Sequence, residues 1–144
     1  MNKVTAAYLA GLMDGEGCFR LERFATDKSP IGFQYRTIVE ITMCDQETIE
    51  YMASVTERKR IETKTLPSGR IAHKLVWRNG FAAAFIRDIL PFLRGKKEQA
   101  ELCLHFEDHI TPGRGRTYRQ EDKAICEAVR LKLSNLKKPI ALRC

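Results

Sequence analysis

Hydrophobic and polar positions along the chain recur with two different periods, and each change of period marks the boundary of a predicted element. The first pattern has helical spacing and predicts a helix over residues 5–13 with Thr5 as its N-cap. Gly15 and Gly17 then interrupt this helix within three residues. The chain changes to a different kind of element directly after them.

Alternation of apolar and polar side chains follows the two glycines. It covers residues 18–24 and 33–43 and predicts two strands joined by a long hairpin loop that contains Pro30. Residues 60–66 and 70–77 predict a second hairpin, because the stretch "LPSGR" between them has the proline and glycine typical of a turn.

Helical spacing separates and follows the two hairpins. The predicted helices cover residues 45–55 with Asp45 as the cap, a segment that begins after Gly80, a continuation after Pro91 to about residue 110, and residues 121–136. The resulting order predicts an α+β fold in which one antiparallel four-stranded sheet is backed by helices. We expect one domain over residues 1–144, with its core at about 5–110 and a basic helical extension at about 111–144.

Charge narrows the set of partners. The 25 Lys and Arg residues exceed the 18 Asp and Glu residues, and the formal net charge of +7 favours a polyanion such as nucleic acid, although a ribosomal or membrane-surface role fits this charge equally well.

The five cysteines have no metal-site spacing and are predicted to be reduced thiols. Because no apolar run is long enough to cross a membrane, we expect a soluble, intracellular protein of organellar, bacterial or phage origin.

The first helix has a stripe of small residues along one side. Ala7, Ala10, Gly11 and Asp14 are separated by three or four residues and therefore share one face of the helix. Small side chains allow two helix backbones to approach closely, so this stripe predicts a helix-to-helix interface.

The end of the same helix collects oxygen atoms. Asp14 and Glu16 add carboxylates to the negative end of the helix, and Gly15 leaves its carbonyl free to face a cation. Oxygen ligands are those that a hard divalent cation prefers, so one hypothesis is a metal site at the bottom of the interface. The alternative is that the acids are simply solvated beside a turn.

The polar positions of the predicted strands offer side chains that can contact DNA. On the first hairpin they are Arg20, Glu22, Gln34, Arg36 and Glu40, which alternate with Phe19, Leu21, Tyr35, Val39 and Ile41. Arginine can read guanine, glutamine can read adenine and glutamate can read the cytosine amine, although an ordinary solvated sheet face has the same pattern. The second hairpin concentrates groups suited to phosphates: Lys59, Arg60, Lys64, Arg70, His73 and Lys74. The basic residues of the extension either contact flanking phosphates or form a solvated helix face: Arg114, Arg116, Arg119, Lys132, Lys137 and Lys138.

Two stretches carry a family likeness. "LAGLMDGEG", residues 9–17, resembles the nine-residue signature of the LAGLIDADG homing endonucleases, and "LPFLRGKKEQAEL", residues 90–102, resembles the start of the helix that follows the sheet in that family. The likeness covers about residues 5–110 and implies the family's αββαββα core.

The resemblance assigns roles residue by residue. It implies that Glu16 is the metal-binding carboxylate that helps to activate water, that Gly15 lends its carbonyl to the metal, and that Lys96, or its neighbour Lys97, balances charge near the scissile phosphate. Asp14 is expected to support the foot of the helix. The sequence departs from the family at Met43, where a glutamine is common.

The implied function is a sequence-specific homing endonuclease that hydrolyses double-stranded DNA with magnesium or manganese and leaves 3′ overhangs. Because one motif supplies one carboxylate, we expect a homodimer acting on a long pseudo-palindromic site. The resemblance also implies a mobile element within an intron or intein. The alternatives are an intron-splicing maturase that binds structured RNA, a DNA-binding regulator without cleavage, and a basic ribosome-associated protein.

Overall fold

The computed structural model describes residues 1–58, 60–113 and 116–138. Lys59 and Arg114, which the sequence assigns to the phosphate-contacting set, and Cys144 lie outside the described residues. No helix within the described ranges is long and apolar enough to cross a membrane.

Helices and strands follow one another in the predicted order, and the α+β fold class is confirmed. The elements are α1 Lys3–Glu16, β1 Gly17–Ala25, β2 Phe33–Met43, α2 Gln46–Val55, β3 Glu62–Thr65, β4 Ile71–Arg78, α3 Gly80–Ile89, a 3₁₀ turn Leu90–Phe92, α4 Lys97–His109 and α5 Asp122–Leu136.

The four strands form one antiparallel sheet in the order β1-β2-β4-β3. In its register Phe19 pairs with Val39, and Val39 pairs with Trp77 on the other side. These three side chains are at most 2% exposed and define the inner face, on which the helices pack. The alternate residues define the outer face, which carries charged side chains together with the buried Ile38, Ala72 and Val76.

The inner face of the sheet and the helices share one hydrophobic core. Trp77 stacks on Phe85 of α3 with ring centroids 4.2 Å apart. Helix α5, predicted as an extension beyond the core, packs beside β1 and buries Cys126, Val129 and Leu133 in the same core. The amphipathic character of α5 therefore serves packing inside the chain as well as solubility.

Both ends of α1 differ from the prediction. The N-cap is Asn2 rather than Thr5, because the Asn2 side chain accepts a hydrogen bond from the Thr5 backbone N–H at 2.8 Å. Gly15 does not interrupt the helix, which continues to Glu16 and ends where β1 begins at Gly17. Strand β3 is also shorter than predicted, whereas Asp45 caps α2 as expected.

Candidate active site and nucleic-acid interface

Asp14 ties the end of α1 to the segment that leads into α4. Its carboxylate accepts backbone hydrogen bonds from Arg94 at 2.8 Å and from Lys96 at 2.9 Å. Each bond satisfies a backbone donor that the preceding loop leaves unpaired. This carboxylate is therefore occupied within the chain, which agrees with a supporting role.

Lys96 places its ammonium group at the C-terminal end of α1. The Nζ atom donates to the carbonyl oxygens of Gly17 at 2.6 Å, Met13 at 3.1 Å and Gly15 at 3.4 Å. Carbonyls at a helix end lack intrahelical partners and have a partial negative charge, so a cation is stabilised there. Lys97 instead lies 4.0 Å from Glu101 along α4, so Lys96 is the lysine at this site.

Gly17 permits the sharp passage from α1 into β1. A Cβ atom at this position would lie 2.3 Å from the Met13 side chain and 2.7 Å from its carbonyl oxygen, and no folded chain accepts such contacts without moving. The last glycine of the "LAGLMDGEG" stretch is therefore explained by packing inside the chain.

Glu16 is exposed at the end of α1, and within the described residues its side chain has no hydrogen bond or ion pair. It borders an open cavity of about 420 Å³ beside the end of β2. The other lining residues are Thr42, Met43, Cys44, Asp45, Leu66, Arg70 and Ala72. A hydrogen bond from the Thr48 hydroxyl, at 2.7 Å, lowers the pKa of Asp45 below its usual range. The Asp45 carboxylate therefore remains ionised in this cavity.

The oxygen atoms at the end of α1 fit a hard cation, but one chain supplies only part of a coordination shell. Within the described residues no group of three or more His, Cys, Asp or Glu side chains could hold a metal ion. The Glu16 carboxylate has no hydrogen-bond or ion-pair partner among the described residues. The Gly15 carbonyl oxygen has a second lone pair besides the one directed at Lys96. A cation bound here would need further oxygen ligands from a second chain, a phosphate or water.

Most of the side chains predicted to contact DNA from the strands lie on the outer face of the sheet. The pairings of Glu22 with Arg36, Phe24 with Gln34, Cys18 with Glu40 and Lys64 with Ala72 place them there together with Lys74. Arg70 lies at the β3–β4 turn and lines the Glu16 cavity. Trp77 and His73 belong to the inner face and are buried, so His73 is not available to phosphates.

Five charged side chains form a connected row across the outer face: Arg36, Glu22, Arg20, Glu40 and Lys74. Glu22 accepts hydrogen bonds from both Arg36 and Arg20, the second at 3.3 Å. Glu40 accepts from Arg20 at 3.3 Å and lies 2.9 Å from the Lys74 ammonium. We call these five residues the charged row.

The stripe of small residues on α1 divides between surface and interior. Ala7 and Gly11 are exposed, whereas Ala10 is fully buried inside the chain and is not available to a second helix. Placing the Ala10 side chain at an intermolecular interface was therefore wrong, because the helix turns this position into the hydrophobic core. Asp14 is partly exposed but bonded within the chain.

Some contacts between distant parts of the chain have no signal in the sequence. Cys44 and Asp45 reach the Glu16 cavity only because β1 and β2 are antiparallel neighbours, with Gly17 opposite Ile41. Likewise, the Tyr35 hydroxyl donates to Glu127 of α5 at 2.8 Å across 92 positions of sequence. Burial together with this bond raises the pKa of Tyr35 to about 12, so it remains a neutral donor that links the sheet to α5.

The basic residues around α5 have mixed surroundings. Arg119 pairs with Glu121 at 3.1 Å, and Lys137 donates to the Cys18 thiol at 3.2 Å beside β1. Lys132 is exposed. Both readings of this basic set, phosphate contact and solvated helix face, remain compatible with these positions.

Comparison with known proteins finds the same fold. No family model and no curated protein matches the sequence. Among solved structures, the homing endonuclease I-CvuI in complex with its target in the presence of 2 mM Ca is 16% identical, with a TM-score of 0.75 over 95% of this chain and 84% of that chain. The archaeal intron-encoded homing endonuclease I-Vdi141I complexed with DNA is 16% identical, with a TM-score of 0.77 over 94% and 85%.

A third solved structure is longer than this chain. The I-LtrWI LAGLIDADG homing endonuclease bound to target DNA is 23% identical, with a TM-score of 0.68 over 92% of this chain and 44% of that chain. The chain thus has the fold of the LAGLIDADG homing endonucleases, and the resemblance drawn from the sequence is confirmed at the level of the fold.

Proposed function

We propose that this protein is a DNA endonuclease that recognises a long pseudo-palindromic duplex through the outer face of its sheet and hydrolyses both strands as a homodimer. One observation carries the proposal: the exposed Glu16 carboxylate lies at the end of α1, with the Lys96 ammonium at the same helix end and with residues of the sheet lining the adjoining cavity. The similar structures of homing endonucleases bound to DNA support this reading of the fold. Products with 3′ overhangs and an origin within an intron or intein are part of the proposal.

The chain's own groups define what each would do. Glu16 and the Gly15 carbonyl would hold magnesium or manganese, which when bound supplies positive charge and an acidified water. Lys96 would keep a positive charge beside the reacting phosphate while it braces the carbonyls of α1. Asp14 would fix the backbone that presents Lys96. The outer-face side chains would hold the duplex in register.

The homodimer is supported by the outer surface of α1. Val4 is 82% exposed and Tyr8 is 48% exposed on the same side as Ala7 and Gly11. A Cβ atom at Gly11 would meet nothing within 4 Å, so the chain itself gives no packing reason for a glycine. Because glycine inside a helix costs about 1 kcal/mol relative to alanine, a reason outside the chain is expected. Close approach of a second α1 supplies it.

The first experiment is to incubate the protein with a library of genomic inserts, in magnesium or in EDTA, and to sequence the broken ends. Clustered magnesium-dependent ends at one long site are expected. Glu16→Gln should then reduce cleavage at least about 100-fold while affinity for the site stays within about threefold, because positioning contacts lie elsewhere. Glu101→Gln, which makes the same change at an exposed carboxylate of α4, is the control. Undiminished cleavage by Glu16→Gln would remove Glu16 from the site.

Binding without cleavage is the second candidate, and Met43 is the observation that favours it. Met43 lines the Glu16 cavity at a place where the family often has glutamine, and a thioether cannot orient water as an amide does. Specific retention of duplex DNA, or of a structured intron RNA, with no broken ends in magnesium or manganese would select this candidate.

The dimer has its own test. Light scattering at micromolar concentration should give twice the mass of one chain. Gly11→Leu should shift the measured mass towards that of one chain, since a large side chain separates two closely packed helices. Ala124→Leu places the same leucine side chain at an exposed position of α5 and should leave the dimer intact. A wild-type monomer both with and without target DNA would refute the dimer.

A further inference from the structure

In the free chain, the cations of the charged row are already paired with carboxylates of the same row. Arg36, Arg20 and Lys74 each contact a carboxylate of Glu22 or Glu40. Glu22 lies between Arg20 of its own strand and Arg36 of β2, and Glu40 lies between Arg20 of β1 and Lys74 of β4. The row therefore has three positive and two negative groups held in alternation across β1, β2 and β4.

The two carboxylates are ionised and partly shielded from solvent. Their side chains are 27% exposed for Glu22 and 18% exposed for Glu40. Burial alone would raise the pKa of Glu40, but the hydrogen bonds from Lys74 and Arg20 outweigh it and the pKa is lowered. The same balance, with Arg36 as the main partner, lowers the pKa of Glu22.

Such a row responds differently to phosphates and to base edges. A phosphate can replace a carboxylate as the partner of Arg20, but it has only acceptors, so Glu22 or Glu40 loses one of its two cationic partners and gains no donor. A guanine–cytosine pair offers acceptors on guanine to the arginine and an amine on cytosine to the carboxylate. Only a base edge of this kind can satisfy both members of a pair at once, and a partly buried carboxylate that loses a donor without replacement is destabilised.

We propose that Glu22 and Glu40 determine specificity by holding Arg36, Arg20 and Lys74 away from phosphates, so that duplexes lacking the matching base edges bind weakly. This inference rests on the proposed DNA-binding function of the outer face. It assigns the two glutamates the exclusion of non-target DNA in addition to contacts with the target.

The test measures affinity for a 30-base-pair duplex of random sequence as a function of KCl. Glu40→Gln should bind this duplex at least about fivefold more tightly at low salt. Because Lys74 loses its carboxylate and Arg20 keeps only Glu22, the slope of log K against log[KCl] should steepen by about 0.9 to 1.8. Glu22→Gln, which releases Arg36 and leaves Arg20 with only Glu40, should act in the same direction and serves if Glu40→Gln does not fold by circular dichroism.

Two controls separate this effect from a simple gain of net charge. Glu62→Gln removes one negative charge from the same face. Glu62 forms a long ion pair with Arg78, at 4.0 Å, so this substitution should change affinity less than twofold. Glu127→Gln removes a carboxylate paired with Arg23 and Arg130 at the α5 side and should also have little effect. Equal tightening by Glu40→Gln and Glu62→Gln would overturn the proposal.

The remaining outcomes distinguish the inference from the function on which it rests. If the wild-type protein binds no duplex of any sequence, the proposed function fails and the inference fails with it. If the wild-type protein binds its selected target but Glu40→Gln and Glu22→Gln bind random duplex no more tightly, the inference alone is overturned. Sites selected by Glu40→Gln from a random library should also show weaker base preferences than those selected by the wild-type protein.

Discussion

Phe19 and Arg20 are neighbours in β1, yet they meet different surroundings. Phe19 is fully buried on the inner face, whereas the Arg20 side chain is 31% exposed on the outer face and bonded to Glu22 and Glu40. In β2 and β4 the charged outer-face positions show the same contrast, whereas Ile38, Ala72 and Val76 on that face are at most 5% exposed. The inner face and these buried positions therefore carry the stability of the fold, and the charged outer-face positions can vary with the partner at little structural cost.

The contrast between the two faces is tested most directly by truncating Phe19 and Arg20 in separate variants. Phe19→Ala should lower the free energy of unfolding by about 3–5 kcal/mol, because it leaves a cavity in the core. Arg20→Ala should change it by less than about 1 kcal/mol, since Glu22 and Glu40 keep Arg36 and Lys74 as partners. Urea denaturation measures both. Similar losses in the two variants would show that the outer face also carries the fold.

A second prediction concerns Gly17, which begins β1 on the inner side. Gly17→Ala should destabilise the chain by about 1–3 kcal/mol, because the new methyl group overlaps the Met13 side chain and carbonyl. Gly80→Ala, where a Cβ atom meets nothing within 4 Å, should stay within about 0.5 kcal/mol of the wild type. Thermal melting compares the two. An unaffected Gly17→Ala would mean that α1 and β1 can separate freely.

The smallest expected effect is the pH dependence of the outer face. The pKa values of Glu22 and Glu40 are lowered in the folded chain, so their contribution is fully present above the unfolded value of about 4.3 and is lost as pH falls through the folded values. We expect a loss below about 1 kcal/mol. Unfolding of the Glu22→Gln, Glu40→Gln double variant should depend less on pH below about 4.3 than unfolding of the wild type. Parallel curves would contradict this assignment.

Local patterns in the sequence predicted much of the fold. Alternation placed β1 and β2 to within one residue at each end, and Asp45 was found as the cap of α2 because capping depends on residues close in sequence. The end of α1 was placed too early, since two glycines argue against a helix in isolation. The distant Lys96 ammonium and the Asp14 bonds to Arg94 and Lys96 support that end in the folded chain.

The candidate site divides in the same way. The sequence by itself determined the residue types at the end of α1 and the polar alternation of the strands, because both are set by neighbours within a few positions. Only the tertiary structure decided that Lys96 reaches Gly17, that Ala10 is buried, and that Glu22 and Glu40 bond cations on adjacent strands. Such contacts depend on strand register and helix packing, which join residues far apart along the chain.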